Sequence, residues 1–164
     1  MLIFRREIED KIREHLSGKG MVVILGPRQS GKTTLAKKLL EPFGAHGAYF
    51  NCEHAEVRRH FVLGEPDMLL SLVADKQIVV FDEAQTIPNI GKILKVFYDT
   101  YPHIKVIATG SSAFDLANKI REPLTGRAFE YMLYPLSLDE VRSVCTITPN
   151  MLDELMIFGS YPAV

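Results

Sequence analysis

Residues Gly26-Pro27-Arg28-Gln29-Ser30-Gly31-Lys32-Thr33-Thr34 combine two glycines, a lysine and two adjacent threonines in nine positions. Glycines at this spacing let the chain curl so that successive backbone N–H groups point at one centre, which is what wrapping a phosphate requires. Lys32 then supplies a cation to β- and γ-phosphates, and the Thr33 hydroxyl offers a hard oxygen to Mg²⁺. A helix starting near Lys32 would aim its N-terminal dipole at the same anion. The second constellation is Asp82-Glu83, placed directly after Ile78-Val79-Val80-Phe81. Four apolar residues running into two carboxylates have the Walker-B shape: Asp82 at a strand end to hold Mg²⁺ through water, Glu83 to orient and polarise the water that attacks a γ-phosphate. Taken alone, two acids could simply open a solvated loop. One strand–helix unit downstream of a phosphate loop, the catalytic reading is preferred.

Three further positions carry candidate chemistry. The run from Ile104 to Ala108 ends in Thr109-Gly110-Ser111-Ser112. Ligands of parallel sheets sit at the C-terminal strand ends, so Thr109 or Ser111 could sense the γ-phosphate; the alternative is a polar turn capping a helix that starts near Ala113. Arg127, in Leu124-Thr125-Gly126-Arg127, precedes the last strand. It could act on transition-state charge in cis or across a subunit interface, or be solvated surface. Arg28 could touch nucleotide or the neighbouring strand, and the residue types leave both open. Asn118-Lys119 invites guanine recognition, but Arg121 stands where aspartate is needed, so the pair reads as surface. Arg58-Arg59-His60 and Lys37-Lys38 read as solvated helix faces, since no aromatic residues interleave with them as in single-strand binders.

The elements that must position these residues alternate. Ile8, Ile12 and Leu16 recur every four residues and predict a helix over about 5–17, ended by Gly18 and Gly20. Val22-Val23-Ile24-Leu25, Ile78 to Phe81 and Ile104 to Ala108 are short continuous apolar runs, the mark of strands buried on both faces of a parallel sheet. Weaker strands are expected over about 48–51 and 128–133. Helices are expected over about 32–41, 54–63, 90–100 and 137–145. The last of these opens with Ser137 and Glu140 at capping-box spacing, and Thr148-Pro149 marks the start of a final helix. The expected fold class is α/β, a P-loop NTPase three-layer α/β/α sandwich with a parallel sheet. The strand and helix between phosphate loop and acidic pair imply an inserted strand and the order 5-1-4-3-2 of the additional-strand, catalytic-glutamate type. Residues 1–148 would form the core and 149–164 the start of a helical lid.

Composition sets the outer limits. With 164 residues, 47% hydrophobic and 24% charged, the chain suits one domain with a core that needs no disulfide or metal staple. Disorder throughout is excluded. Nineteen basic against twenty acidic residues give a net charge of −1, so no global positive field points to nucleic acid. No apolar stretch approaches the roughly 20 residues of a membrane span, and no apolar core follows Met1 to Arg6 as in a secretory signal. Cys52 and Cys145 lack metal-ligand spacing and read as reduced thiols of a cytoplasmic protein.

Taken together, GPRQSGKTTL, VVFDEAQ, ATGSSAFDL, and LTGR followed by LYPLSLDE resemble the AAA-type ATPases of bacteria and archaea, over about Ile3 to Val164. The sequence has Leu138 where phenylalanine is usual in that group. The resemblance implies an ATP-binding, ATP-hydrolysing domain with ATP/ADP and Mg²⁺ as ligands. By position it assigns Lys32, Thr33, Asp82 and Glu83 to nucleotide and metal, and it transfers roles to Ser111 and Arg127. Members of the group continue past a segment like Gly159-Ser160-Tyr161-Pro162 into a C-terminal domain, so the tail from Met151 to Phe158 is expected to be a truncated lid with exposed apolar residues. A nucleotide-binding module with little turnover and a small-molecule kinase are the competing readings; residues 52–76 contain no interpretable substrate motif. Self-association or an appended domain would be the partner, and a role for nucleic acid is left open by the sequence.

Overall fold

The computed structural model describes residues 4–18, 20–61, 71–111, 116, 119–120 and 123–162. Within them lie α1 (Glu9–Ser17), β1 (Met21–Leu25), α2 (Lys32–Leu40), β2 (Gly47–Asn51), α3 (Ala55–His60), β3 (Ile78–Asp82), α4 (Ile90–Thr100), β4 (Lys105–Gly110), β5 (Ala128–Met132), α5 (Leu138–Arg142) and α6 (Pro149–Phe158). The five strands form one sheet in the order β2-β3-β4-β1-β5, every pair parallel. This is the expected 5-1-4-3-2 arrangement, with β4 inserted between the strand of the phosphate loop and the strand of the acidic pair.

The apolar runs are the central strands because both of their faces are covered. Met21, Val23, Leu25, Val79, Phe81, Val106 and Ala108 face one layer, with Ile90, Ile93, Leu94 and Phe97 of α4. Val22, Ile24, Ile78, Val80 and Ile107 face the other, against Ile12 and Leu16 of α1 and Leu35, Ala36 and Leu39 of α2. The period-2 alternation of side chains thus divides each run between two cores. The weaker strands β2 and β5 are the sheet's edges, half-buried or exposed throughout, which is why their patterns are diluted.

Some boundaries differ. Helix α1 starts at Glu9 instead of 5, because the side chain of Arg6 and the backbone N–H of Glu7 are bound to Glu140, far along the chain. Helix α3 ends at His60, since Phe61 leaves helical geometry (φ −104°, ψ 64°) to bury its ring against Phe50 and Phe81. The capping box at Ser137 forms in full: Glu140 N–H donates to Ser137 Oγ and Ser137 N–H to Glu140 Oε2, both at 3.1 Å. The Thr148 hydroxyl caps α6. Positions 62–63 of the expected third helix, the start near Ala113 of the helix expected after the fourth strand, Ser112, Asn118 and Arg121 lie outside the described residues. Among the described residues no helix is long and apolar enough to cross a membrane.

Candidate active site

The phosphate loop leaves the C-terminal end of β1 and closes into α2. At Gly26 (φ +157°) a Cβ would stand 2.2 Å from the Leu133 carbonyl oxygen, so the loop lies against the end of β5 too closely for any side chain. Gly31, at φ +95°, supplies the left-handed residue that turns the loop into the helix. Lys32 is buried, with Nζ donating to the carbonyls of Gly26 (3.0 Å) and Pro27 (2.7 Å). Burial lowers its pKa below the ordinary lysine value, opposed by the charges of Glu83 and Asp82. The Ser30 hydroxyl is buried with no hydrogen-bond partner among the described residues.

Asp82 ends β3 beside this loop and gathers three hydroxyls. Thr33 Oγ1 donates to Oδ2 at 2.8 Å, Tyr49 OH to the same oxygen at 2.6 Å, and Thr109 Oγ1 to Oδ1 at 2.5 Å. Burial and then the bond to Asp82 raise the pKa of Tyr49 well above a phenol's, which keeps it a donor. Glu83 takes a left-handed backbone (φ 53°, ψ 46°). Its N–H donates to Thr109 Oγ1 at 3.0 Å. Its Oε2 accepts from Gln85 Nε2 (2.6 Å) and from the Ser111 N–H (3.2 Å). Gln29, Gly31, Lys32, Thr33, Thr34, Glu83 and Pro162 line a cleft of about 230 Å³ over the loop. Gly26 and Pro27 do not line it but accept from Lys32 through their carbonyls, while Arg28 is exposed, its charge felt at Lys32.

Of the two sensor candidates, Thr109 is fully buried and engaged with the backbone and carboxylate of the acidic pair, whereas Ser111 meets Glu83's side chain. Arg127 is not brought to this cleft. Its carbonyl accepts from Met21 N–H at the N-terminal edge of the sheet, and its guanidinium sits 3.5 Å from Asp99 and over the ring of Tyr98. A five-residue strand, about 16 Å long, separates that edge from the phosphate loop. Arg127 therefore does not reach the cleft of its own chain. Arg58 is turned back onto the carbonyls of Cys52 and Glu53, a structural use of the basic run.

Several site residues were not legible in the sequence. Arg6, 6% exposed, donates to Ser30 O (2.6 Å), Tyr134 O (2.6 Å) and Glu140 Oε1 (2.9 Å), tying the phosphate loop to the N-terminal segment and the start of α5. No local pattern announces a pair 134 positions apart. Tyr49 was hidden in a weak strand; Gln85 was visible in VVFDEAQ but had no assigned role. A second cavity, of about 310 Å³, is lined by Phe4, Leu136, Met151, Leu155, Phe158 and Tyr161, and shares Pro162 with the phosphate cleft. Leu136 N–H donates to Ser160 O at 2.7 Å and holds the tail across this junction.

Comparison with known proteins agrees with this arrangement. A family model described as AAA domain matches residues 18–142. The chain is 30% identical over 163 residues to the uncharacterized proteins Rv2008c of Mycobacterium tuberculosis and Mb2031c of Mycobacterium bovis, covering 99% of this chain and 34% of each relative. It thus spans about a third of the length of the curated relatives it matches. Among solved structures, the Walker-type ATPase PABY2304 of Pyrococcus abyssi superposes with TM-score 0.71 at 20% identity, over 98% of this chain and 65% of that one. The Aeropyrum pernix ORC2 protein, solved as ADPNP–ADP complexes, gives 0.62 at 20% identity, over 99% and 54%. The Aeropyrum pernix ORC1 protein in complex with DNA gives 0.60 at 16% identity, over 93% and 50%. These structures share the P-loop fold, and the family match extends from the glycine turn before β1 to the end of α5: the chain belongs to the AAA-domain family.

Proposed function

We infer that this chain binds ATP with Mg²⁺ and hydrolyses it, and that the resulting conformational change acts on a partner or an appended domain. The observation that carries the reading is the 2.8 Å bond between Thr33 Oγ1 and Asp82 Oδ2, which joins the phosphate loop to β3 with Lys32 and Glu83 on the same cleft. The donor set fits magnesium. Thr33 and Asp82 are oxygen donors, and among the described residues no cluster of three or more His, Cys, Asp or Glu offers a competing metal cage. Magnesium prefers one or two protein oxygens supplemented by phosphate and water. When bound, it would neutralise charge on the β- and γ-phosphate oxygens. The buried, unpartnered Ser30 hydroxyl supports a phosphate within reach of the loop.

The roles of the side chains follow. Lys32 exchanges the carbonyls of Gly26 and Pro27 for phosphate oxygens. Gly31, Thr33 and Thr34 contribute backbone N–H groups at the start of α2, with Gln29 and Ser30 shaping the loop. Glu83 accepts a proton from water as the water oxygen bonds to the γ-phosphorus. The bond from that phosphorus to the bridging oxygen breaks, and its electron pair leaves with ADP. Ser111 is the sensor, because it meets the Glu83 carboxylate. The apolar cavity that shares Pro162 takes the base, and stacking on Phe158 or Tyr161 suits adenine. A cytoplasmic setting, with ATP and magnesium at hand, completes the reading.

One observation favours weak turnover by the chain alone. Lys32 is the one cation lining the cleft among the described residues, and Arg127 stands at the opposite sheet edge. An arginine from a second copy or another domain would then supply transition-state charge, as arginine fingers do. The test is phosphate release with Mg²⁺ and either ATP or GTP, with and without chelator, beside binding by calorimetry. Metal-dependent, ATP-preferring turnover that disappears in Glu83→Gln establishes the ATPase; binding without turnover leaves the module that needs a neighbour.

A further inference from the structure

Resting on the hydrolytic reading above, we propose that Gln85 is a positioning residue: its side-chain amide grips Glu83 by Oε2 and so aims Oε1 at the attacking water. Gln85 Nε2 donates to Glu83 Oε2 at 2.6 Å, a short bond to a charged acceptor. The same nitrogen lies 3.2 Å from Ser111 Oγ, and the Ser111 N–H reaches the same Glu83 oxygen at 3.2 Å. Among the described residues both donors to the Glu83 carboxylate therefore fall on one oxygen, while Glu83 lines the phosphate cleft. The other oxygen is the one left to accept a proton.

The orientation of the amide is set by charge. Turned over, it would place its carbonyl against the carboxylate. In the orientation found, Gln85 Oε1 is buried with no hydrogen-bond partner among the described residues. A buried carbonyl left unpaired is unfavourable, and it persists where the other half of the same group is needed in place. The space for it depends on Gly110, where a Cβ would stand 3.0 Å from Gln85 Oε1 and 2.7 Å from Leu116 Cδ2.

A purely structural use of this side chain is already covered by its neighbour. The turn containing Gln85 is closed by Thr86, whose N–H donates to Glu83 O (3.1 Å) and whose hydroxyl donates to Glu83 O (2.9 Å) and Cys52 O (2.6 Å). The Gln85 amide is thus spare for the carboxylate. Without it, Glu83 keeps only the longer bond from the Ser111 N–H and is held less firmly about its side-chain bonds. Misplacing a reacting group by about 1 Å can cost on the order of a hundredfold in rate.

Gln85→Met retains the length and removes the donor; Gln85→Asn retains an amide but is one methylene too short to reach Oε2. Both variants, Glu83→Gln and the double variant Gln85→Met/Glu83→Gln would be assayed for ATP affinity by calorimetry and for single-turnover phosphate release. The expected result is a fall in rate of about ten- to a hundredfold with affinity within twofold of wild type, and no further fall when Gln85→Met is added to Glu83→Gln, because residues acting as a unit are non-additive. An unchanged rate in Gln85→Met or in Gln85→Asn, while Glu83→Gln is inactive, overturns the positioning role and leaves the ATPase standing. A parallel loss of affinity, or an additive loss in the double variant, overturns it in favour of a structural role. If Gln85→Met does not fold, the Asn variant decides alone. Absence of turnover in the wild-type chain removes hydrolysis by this chain alone and this proposal with it, and leaves the nucleotide-binding module.

Discussion

Replacing Arg6 by methionine would cut a tie that holds the phosphate loop from behind. The guanidinium makes three bonds, to Ser30 O, Tyr134 O and Glu140 Oε1, at 2.6, 2.6 and 2.9 Å. Its side chain is 7% exposed and that of Glu140 6%, so water screens the pair little. Removing one partner of a buried pair costs about 3–5 kcal/mol, mainly because the other charge stays behind. Here Glu140 keeps two backbone donors, Glu7 N–H at 2.8 Å and Ser137 N–H at 3.1 Å, which places the expected loss near 3 kcal/mol. Urea unfolding followed by circular dichroism measures it. In a cycle with Glu140→Gln, the coupling should be on the order of 1–3 kcal/mol. Because Ser30 O loses its donor, ATP affinity should fall as well. Stability within 1 kcal/mol of wild type would refute the idea of a desolvated tie, and additive single changes would refute direct pairing.

Other outcomes are expected at the cleft and in the core. Lys32→Ala should abolish tight nucleotide binding in calorimetry; unchanged affinity would sink the phosphate-loop assignment. Glu83→Gln should bind ATP normally while kcat falls by at least about a hundredfold, the usual scale of a lost general base; equal turnover would remove Glu83 from the chemistry. Gly26→Ala should lower both stability and affinity by pushing Leu133 O away and straining the Leu133 N–H bond to Leu25 O of β1, with a loss of about 2–4 kcal/mol from strain and overpacking together; a wild-type melting curve would contradict the close approach. The Cys52 thiol is pushed up to about 12, chiefly by burial and then by Asp82. The folded state then holds a proton that the unfolded chain releases near pH 9, so stability should decline between about pH 9 and 12, and Cys52→Ala should flatten that decline in unfolding experiments. A pH-independent stability across that window would argue against the burial.

What could be read from the chain alone was local. Gly26 to Thr34 is a contiguous loop whose residue types state their own chemistry, and the four-residue apolar runs before it and before Asp82 announce buried parallel strands. Ser137 and Glu140, three residues apart, satisfy one helix end between themselves, so the capping box needed no other part of the fold. Even the strand order followed from counting one strand and one helix between loop and acids. The edge strands were weakest because half-exposed positions tolerate polar residues, and Tyr49 was lost with them.

The tertiary structure decided which side chains converge. Thr109 and Ser111 differ by two positions, yet only the register of β4 against β3 puts one under Asp82 and lets the other reach Glu83. Arg127 looked promising beside a strand, but it stands at that strand's N-terminal end, and in a parallel sheet the ligand side is the C-terminal end. Arg6 and Glu140 meet across 134 positions, and Pro162 reaches the cleft only because Ser160 is held by Leu136. Periodicity and motif spacing are properties of neighbours in sequence. Convergence of distant residues is set by packing two apolar layers onto one twisted sheet, and no short pattern encodes that.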